Sequence, residues 1–235
     1  MSLVEAGFFE SRAKAQEAIA AGLVAVDGRV LHRPSDRVPP GARLTATAPH
    51  PWVSRGGLKL VAALDGFGVN PRGRTCLDIG ASTGGFTDVL LSRGAARVHA
   101  VDVGHGQLHP RLKADPRVED LSGTDARQLS AAMFPVGPTL IVCDASFISL
   151  ALVLPPVLRL AAPGAALITL VKPQFEVGKG QTDKGIVRDD EQRQAVCARV
   201  ARLVEDLGWR LGGLLTSPIT GRDGNVEFLL HATAP

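Results

Sequence analysis

The stretch TCLDIGASTGGFTDVLL, residues 75–91, decides the fold of this chain. It begins as a short apolar run that contains Asp78, and it ends with the spacing of an amphipathic helix. The segment between the two consists of small residues, among them Gly80, Gly84 and Gly85. A strand and a helix are joined in this way where a ligand lies against the backbone at the end of a parallel strand. The stretch therefore predicts a ligand site between a first strand and a first helix.

Strands and helices alternate from Thr75 to the end of the chain. The runs TCLDIGA, RVHAVDV, PTLIVCDAS and AALITLVKP predict strands, and helices are predicted near residues 84–93, 149–161 and 190–207. This alternation is typical of an α/β fold in which helices cover both faces of a parallel sheet. The last two strands, in WRLGGLLTSPI and GNVEFLLHATA, leave no room for a helix between them, so we expect them to pair antiparallel. The apolar face of the last helix is predicted to consist of Val196, Val200, Leu203, Val204 and Leu207.

The beginning of the chain has a different pattern, that of a small α+β domain. Ser11 can cap a short helix, and Gly22 can end it. The pair Asp27-Gly28 predicts a turn between two short strands in LVAVDGRV. The proline-rich stretches RPSDRVPPGARL and PHPW predict loop and linker. We therefore expect one domain at residues 1–48, a linker at 49–58 and a larger α/β domain at 59–235.

Positive charge is concentrated in the first part of the chain. Residues 1–59 contain eight Lys or Arg and five Asp or Glu, which accounts for the whole net charge of +3. A basic module attached to a neutral body predicts an anionic partner, with nucleic acid as the leading candidate. An ordinary solvated surface is the alternative that charge alone leaves open.

The composition disfavours several classes of protein. Cys76, Cys143 and Cys197 are far apart and lack metal-ligand spacing, so we expect neither a disulfide framework nor a zinc site. The N-terminus has no basic segment followed by an unbroken apolar run, so no secretory signal is predicted. The longest apolar segment is interrupted by prolines and an arginine, which favours a buried helix and strand over a membrane span. We expect a cytoplasmic protein.

Two aspartates at strand ends indicate the kind of ligand. Asp78 ends the first predicted strand, and Asp102 ends the second, where a carboxylate can accept both hydroxyls of a ribose. The glycines lack the G-x-G-x-x-G spacing of a dinucleotide site, and GKGQTDKG does not match a phosphate-binding loop. The pattern D-x-G-x-x-x-G-G resembles that of class I S-adenosylmethionine-dependent methyltransferases. A turn that only lets a strand and a helix pack closely is the alternative.

Four ionisable residues occupy positions that a doubly wound sheet would bring together. Lys59 lies in SRGGLKL, Asp144 and Lys172 lie at the ends of two predicted strands, and Glu227 lies on the last strand. Such strand ends face the same crevice as the first strand, so we expect Asp144 and Lys172 beside the ligand. The chain has six lysines against twenty arginines, and an amine can lose its proton whereas a guanidinium effectively cannot. Buried ion pairs are the alternative for each residue taken alone.

The same motifs, in the same order, resemble the TlyA family, whose members are known both as hemolysins and as ribosomal RNA ribose methyltransferases. The matching stretches are ESRAKAQEAIAAGLVAVDGRV, VSRGGLKL, LDIGASTGGFTDVLL, AVDVGHGQL, SFISL, LVKPQFEVGKG and GNVEFLL. The resemblance implies an N-terminal RNA-binding domain of the ribosomal-protein-S-four type and a Rossmann-like methyltransferase domain of the FtsJ kind. It also implies S-adenosylmethionine-dependent methylation of a ribose 2′-hydroxyl, with cytidine expected, in the ribosomal RNA of assembled or assembling subunits.

The resemblance assigns roles to individual residues. It implies a catalytic tetrad in which Lys172 is the base, Asp144 and Lys59 position the lysine and the hydroxyl, and Glu227 orients this network. No metal is expected, because the sulfonium supplies the leaving group. The residues expected to bind the cofactor are Asp78, Gly80, Ser82, Thr83, Gly84, Gly85, Asp102 and Asp125, the last as an adenine contact. The residues expected to bind RNA are Arg12, Lys14, Arg29 and Arg55.

Two functions of other classes are the alternatives. A hemolysin that acts on membranes is disfavoured because the chain shows neither a secretion signal nor a strongly amphipathic cationic helix. A protein that only binds RNA or assists ribosome assembly is disfavoured because the tetrad is complete.

Overall fold

A computed structural model describes residues 3–36, 38–39, 41–178, 180–221 and 223–235. The chain folds into two compact units, Met1–Ser54 and Arg55–Pro235. The first unit is small and of the α+β class. The second is the α/β unit predicted from the alternation of strands and helices.

The smaller unit is built on one helix and an antiparallel sheet. Helix α1 (Arg12–Ala20) begins after Ser11, whose hydroxyl accepts a hydrogen bond from the Lys14 backbone N–H at 3.3 Å, so the predicted N-cap is confirmed. Strands β1 (Val24–Val26) and β2 (Arg29–Val30) pair antiparallel on either side of the predicted two-residue turn. The hairpin prediction is therefore confirmed.

Strand β3 (Leu44–Ala46) is absent from the sequence prediction. It pairs with the other side of β1, so that Val24 lies opposite Ala46. Its first residue belongs to the stretch RPSDRVPPGARL, for which the loop prediction was wrong at that position. The prolines upstream dominate the local pattern, and three residues are too few to show a strand period. Ala18, Ile19 and Val24 belong to a buried apolar cluster of this unit.

The larger unit has six helices and seven strands in the part of the chain that is described. The helices are α2 (Gly56–Phe67), α3 (Gly85–Ser92), α4 (Pro110–Lys113), α5 (Leu150–Leu158), α6 (Pro173–Glu176) and α7 (Asp190–Asp206). The strands are β4 (Thr75–Ile79), β5 (Arg97–Asp102), β6 (Val118–Ser122), β7 (Leu140–Cys143), β8 (Ala166–Val171), β9 (Arg210–Thr216) and β10 (Phe228–Thr233).

The seven strands form one sheet in the order β6-β5-β4-β7-β8-β10-β9. The first five strands in this order pair in parallel, as the alternation predicts. Strand β10 pairs antiparallel with both β8 and β9, which confirms the reversal predicted for the end of the chain. The chain progresses outward from β4 on one side and from β7 on the other, so the carboxyl ends of these two central strands border a crevice.

Helix α2 begins at Gly56, so its first turn overlaps the linker expected at residues 49–58. The sequence analysis predicts no helix at this place, because three of its twelve residues are glycines, which have low helix propensity. Tertiary packing outweighs that propensity. At Gly66, for example, a Cβ would lie only 2.6 Å from Leu215 Cδ1, so a side chain there would collide with the sheet.

The apolar core of the larger unit lies against helices α5 and α7. The face predicted for α7 is confirmed, because Val196, Val200 and Val204 are buried and Leu203 and Leu207 pack partly buried against the same core. Burial of these side chains removes apolar surface from water, which is the main stabilising contribution to such a fold.

We predict that Leu154→Ala destabilises the larger unit by about 2–5 kcal/mol. Leu154, on α5, is fully buried in the core, and truncation would leave a cavity. Leu152 on the same helix is 56% exposed, so Leu152→Ala is a matched control that should change stability little. Urea unfolding followed by circular dichroism measures both. Equal effects of the two substitutions would contradict the assigned orientation of α5.

Candidate active site

The predicted site residues converge at one edge of the sheet. Asp78 is the penultimate residue of β4, and Asp102 is the last residue of β5. Asp144 directly follows β7, and Lys172 directly follows β8. Because these strands are parallel, their carboxyl ends meet at the same edge. Glu227 reaches this edge from the opposite chain direction, since it directly precedes the reversed strand β10.

A cleft of about 380 Å³ opens at this edge. The predicted site residues among its lining are Gly80, Ser82, Asp102, Asp125 and Asp144. Apolar side chains such as Val101, Ile148 and Val153 complete the walls. Polar groups at defined points of a largely apolar cleft are typical of a site for a small organic ligand.

Asp78 is fully buried, and only one of its two oxygens has a hydrogen-bond partner among the described residues. Its Oδ2 accepts a hydrogen bond from Thr87 Oγ1 at 2.7 Å, whereas Oδ1 accepts none. Burial raises the pKa of Asp78 to about 7, and the nearby charges of Asp144 and Asp102 add to this effect. A buried carboxylate in this state can still receive a donor or a cation from a ligand.

Asp102 holds the two loops that border the cleft. Its Oδ2 accepts the Ser82 backbone N–H at 2.8 Å, and its Oδ1 accepts the Gly104 backbone N–H at 2.7 Å. The turn after β4 also lies close to the backbone that follows β7, because a Cβ on Gly80 would be 3.0 Å from the Asp144 carbonyl oxygen. Gly80 has φ +79°, which favours glycine for a second reason.

The remaining part of the glycine-rich turn has a packing role. Thr83, Gly84 and Gly85 are not among the described residues that line the cleft. A Cβ on Gly84 would lie 2.8 Å from Leu108 Cδ1 and closer still to Leu112. Gly84 therefore allows the segment around α4 to pack against the start of α3, which is the packing alternative considered for this turn.

Asp125 lines the cleft, but its carboxylate is already engaged. It caps the short 3-10 turn Ala126–Gln128 and forms an ion pair with Arg127 at 2.6 Å. The hydrogen bond from Arg127 lowers the pKa of Asp125 below its usual range. A ligand at this position would therefore meet an ionised carboxylate that is held by a neighbouring guanidinium.

Lys172 and Asp144 form a tight ion pair beside the cleft. Lys172 Nζ lies 2.6 Å from Asp144 Oδ1, and it also donates to the Asp144 carbonyl oxygen at 3.0 Å and to Ser146 Oγ at 2.8 Å. Lys172 is only 6% exposed, so these contacts replace most of its hydration. A buried ammonium requires such partners, because an unpaired buried charge costs several kcal/mol.

Lys59 and Glu227 form a second buried ion pair, with Lys59 Nζ 2.5 Å from Glu227 Oε2. Gly221 lies against the same carboxylate, and a Cβ there would be 2.5 Å from Glu227 Oε1. The pair joins helix α2 to the start of β10. The structure therefore arranges the four residues of the predicted tetrad as two lysine–carboxylate pairs.

An exposed aromatic residue beside these pairs is missing from the sequence analysis. Phe147 is 90% exposed, has φ +63° and lines the cleft. Its ring centroid lies 4.9 Å from that of Phe175, on the short helix that follows Lys172. Positive φ is rare for a bulky residue and commonly marks a functional position. The motif SFISL contains the signal, because a phenylalanine directly after polar strand-end residues is unusual in a chain with 4% aromatic residues.

The four residues predicted to bind RNA lie on the surface of both units. Arg12, Arg29 and Arg55 are exposed, and Lys14 is partly buried in an ion pair with Glu10 at 2.7 Å. The first three positions present cationic groups to solvent. Arg55 belongs to the larger unit and directly precedes α2.

The described residues show neither a helix that could cross a membrane nor a cluster that could hold a metal ion. None of their helices has both the length and the apolar character that a membrane span requires. These residues also contain no group of three or more His, Cys, Asp or Glu side chains arranged to hold a metal ion.

Comparison with known proteins matches each unit to a family. The family model of the S4 domain matches residues 1–44, and that of the FtsJ-like methyltransferase matches residues 52–234. The second match covers more than half of the chain.

Three individual relatives extend over nearly the whole chain. The 16S/23S rRNA (cytidine-2′-O)-methyltransferase TlyA of Mycobacterium tuberculosis is 48% identical over 97% of this chain and 86% of its own length. Hemolysin A of Brachyspira hyodysenteriae is 39% identical over 96% of this chain and 95% of its own length. A solved structure described as a hemolysin, from Streptococcus thermophilus, superposes with a TM-score of 0.80 at 40% identity and covers 99% of this chain and 86% of that one. The chain therefore belongs to the TlyA family of FtsJ-like methyltransferases.

Proposed function

We propose that this protein transfers a methyl group from S-adenosylmethionine to a ribose 2′-hydroxyl of ribosomal RNA, at cytidine. The observation that carries the proposal is the buried Lys172–Asp144 pair at the sheet edge where the cleft opens. The TlyA relative from M. tuberculosis is named for this reaction, and the match to the S4 domain supports RNA as the substrate. Ribosomal subunits in the cytoplasm are the proposed setting.

The residues at this edge of the sheet fit S-adenosylmethionine. Asp78 offers a buried carboxylate oxygen without a partner among the described residues, which suits the positive end of this cofactor. Gly80 lines the cleft, and its lack of a side chain lets the backbone after β7 lie close to the turn that follows β4. Asp102 lines the cleft and retains lone pairs for ribose hydroxyls, because each carboxylate oxygen can accept more than one hydrogen bond. Residues proposed to complete the cofactor site are Ser82, Thr83, Gly84, Gly85 and Asp125.

The two lysine–carboxylate pairs supply what the acceptor hydroxyl needs. Bound S-adenosylmethionine would supply an electrophilic methyl group together with its own leaving group. A ribose hydroxyl is a weak nucleophile, so the protein must remove its proton during the attack. Lys172, as the neutral amine, would receive that proton while Asp144 holds its nitrogen in place. Lys59 and Glu227 would fix the position of the hydroxyl, which reduces the entropic part of the barrier.

RNA would be held by charge and by stacking. Arg12, Lys14, Arg29 and Arg55 would contact phosphates, which gives affinity without selecting a base. The exposed ring of Phe147 lies at the cleft, where it would stack on the base of a nucleotide that presents its ribose to Lys172.

We predict that Asp102→Ala weakens S-adenosylmethionine binding by roughly 1.5–3 kcal/mol, because a charge-assisted hydrogen bond to the ribose is lost. Isothermal titration calorimetry measures the affinity. Asp65→Ala is the matched control, because Asp65 is an exposed carboxylate on helix α2 that is paired with Arg93. An unchanged affinity of Asp102→Ala would exclude Asp102 as a cofactor ligand.

We predict that Lys172→Arg lowers the rate of methyl transfer by a factor of about 100 or more while cofactor affinity changes little. Arginine keeps the positive charge and much of the length, but it cannot act as a base. The measurement is single-turnover methylation of undermodified ribosomal subunits with radiolabelled cofactor. A rate near that of the unaltered protein would show that Lys172 acts only as a fixed charge.

We predict that replacing Arg12, Lys14 and Arg29 together by alanine weakens RNA binding and reduces the slope of log affinity against log salt by about 2, since each lost phosphate contact removes somewhat less than one unit. Filter binding at several salt concentrations measures the slope.

The matched control for this variant removes the same charge elsewhere. Arg159, Arg202 and Arg210 are exposed, and neither the end of α5 nor the start of β9 lies at the edge that carries the cleft. Their joint replacement by alanine should leave the salt slope nearly unchanged. Equal slopes for the two triple variants would argue against a specific role of the smaller unit.

A further inference from the structure

The nitrogen of Lys172 lies close to three oxygen atoms. It donates hydrogen bonds to Ser146 Oγ at 2.8 Å and to the Asp144 carbonyl oxygen at 3.0 Å, and it forms an ion pair with Asp144 Oδ1 at 2.6 Å. An ammonium donates three hydrogen bonds and accepts none. The protonated lysine therefore cannot accept a proton from a substrate.

The neutral amine that a base requires has two N–H groups and one lone pair. The carboxylate and the carbonyl of Asp144 can only accept hydrogen bonds, so they suit the two N–H groups. The hydroxyl of Ser146 can accept or donate. Ser146 is thus the one of these three partners that can donate a hydrogen bond to the lone pair of the neutral amine.

Ser146 also stands on the solvent side of Lys172. The Lys172 side chain is 7% exposed, and Lys172 is not among the described residues that line the cleft. Ser146 is exposed and does line the cleft, next to Phe147. A hydroxyl in the cleft therefore meets the oxygen of Ser146 before it meets the nitrogen of Lys172.

We propose that the Ser146 hydroxyl relays the proton from the ribose 2′-hydroxyl to Lys172. As the 2′-oxygen forms its bond to the methyl carbon and the bond from that carbon to sulfur breaks, the 2′-hydroxyl proton moves to Ser146 Oγ. In the same step the proton of Ser146 moves to the lone pair of Lys172 Nζ, which becomes an ammonium. Serine ends unchanged, and the sulfur keeps the electron pair of the broken bond. This relay rests on the proposed function, in which Lys172 is the final base.

The proposal is tested by single-turnover methylation with Ser146→Ala, Ser146→Gly and Ser146→Thr. Ser146→Ala should lower the rate by a factor of about 100, the lower end of general acid–base contributions, without changing cofactor affinity. Ser146→Thr keeps the hydroxyl and should stay within about tenfold of the unaltered rate. Ser146→Gly leaves room for a water molecule to replace the hydroxyl, so it should be faster than Ser146→Ala. A Ser146→Ala rate equal to that of the unaltered protein would overturn the relay.

The dependence of the rate on the deuterium content of the solvent separates a relay from a merely structural hydrogen bond. A step that moves two protons gives a curved dependence, whereas a step that moves one gives a straight line. We expect curvature for the unaltered protein and for Ser146→Thr, and a straight line for Ser146→Ala. A straight line for the unaltered protein would overturn the relay even if Ser146→Ala were slow.

The matched control is Ser149→Ala, in the same loop. The hydroxyl of Ser149 donates to Glu176 Oε2 at 2.8 Å, whereas Lys172 donates to Ser146 and Asp144, so this variant should keep both the rate and the curvature. Comparison with Lys172→Arg distinguishes a failure of the proposed relay from a failure of the proposed base. A slow Lys172→Arg with a fast Ser146→Ala would refute only the relay, whereas a fast Lys172→Arg would refute the base assignment and the relay together.

Discussion

The pairing of β8 with the reversed strand β10 determines which charged groups can meet at the cleft edge. Phe228 lies opposite Val171 at the end of this ladder, so the next residues outward on the two strands are Glu227 and Lys172. A shift of one residue in this register would turn the side chains of β10 to the opposite faces of the sheet. The buried Lys59–Glu227 pair would then be lost, and Lys59 would be left without its carboxylate.

The two buried ion pairs at this sheet edge contribute little net stability to the fold. Removing Lys172 and Asp144 from water costs energy, and their attraction at 2.6 Å compensates for it only in part. An apolar pair of similar size would often serve folding equally well. The apolar core around α5 and α7 supplies the stability that allows the sheet edge to carry these charges.

The sequence predicts those features that depend on local pattern. Four features are predictable because each has its own residue period or turn chemistry. They are the alternation of strands and helices, the Ser11 cap, the hairpin turn and the reversed final strand. Helix α2 was not predicted from the sequence, because the presence of its glycines is explained only by the residues that pack against them. Strand β6 (Val118–Ser122) is likewise absent from the prediction, since VEDLS at the edge of the sheet has no apolar run.

The sequence predicts which strand ends carry the site residues. It does not predict which of these residues contact one another. That Asp144 and Lys172 lie together follows from the fold class, whereas the division of four residues into two pairs depends on where α2 passes the sheet. The contact of Ser146 with Lys172 and the backbone conformation of Phe147 arise from the loop after β7, whose path has no periodic signal. These loop features have no counterpart in the sequence prediction.

The carboxyl group of Asp78, one residue before the cleft-lining Ile79, can exchange a proton near neutral pH. In an unfolded chain this group ionises near 3.8, whereas in the folded protein its pKa is raised to about 7. The folded state therefore binds the proton more tightly, and stability falls as the pH rises from about 3.8 toward 7. A cationic group of the proposed cofactor at Oδ1 would favour the ionised carboxylate and so displace this proton. Binding of that cofactor near neutral pH would then release acid, and its measured heat would include the heat of protonating the buffer.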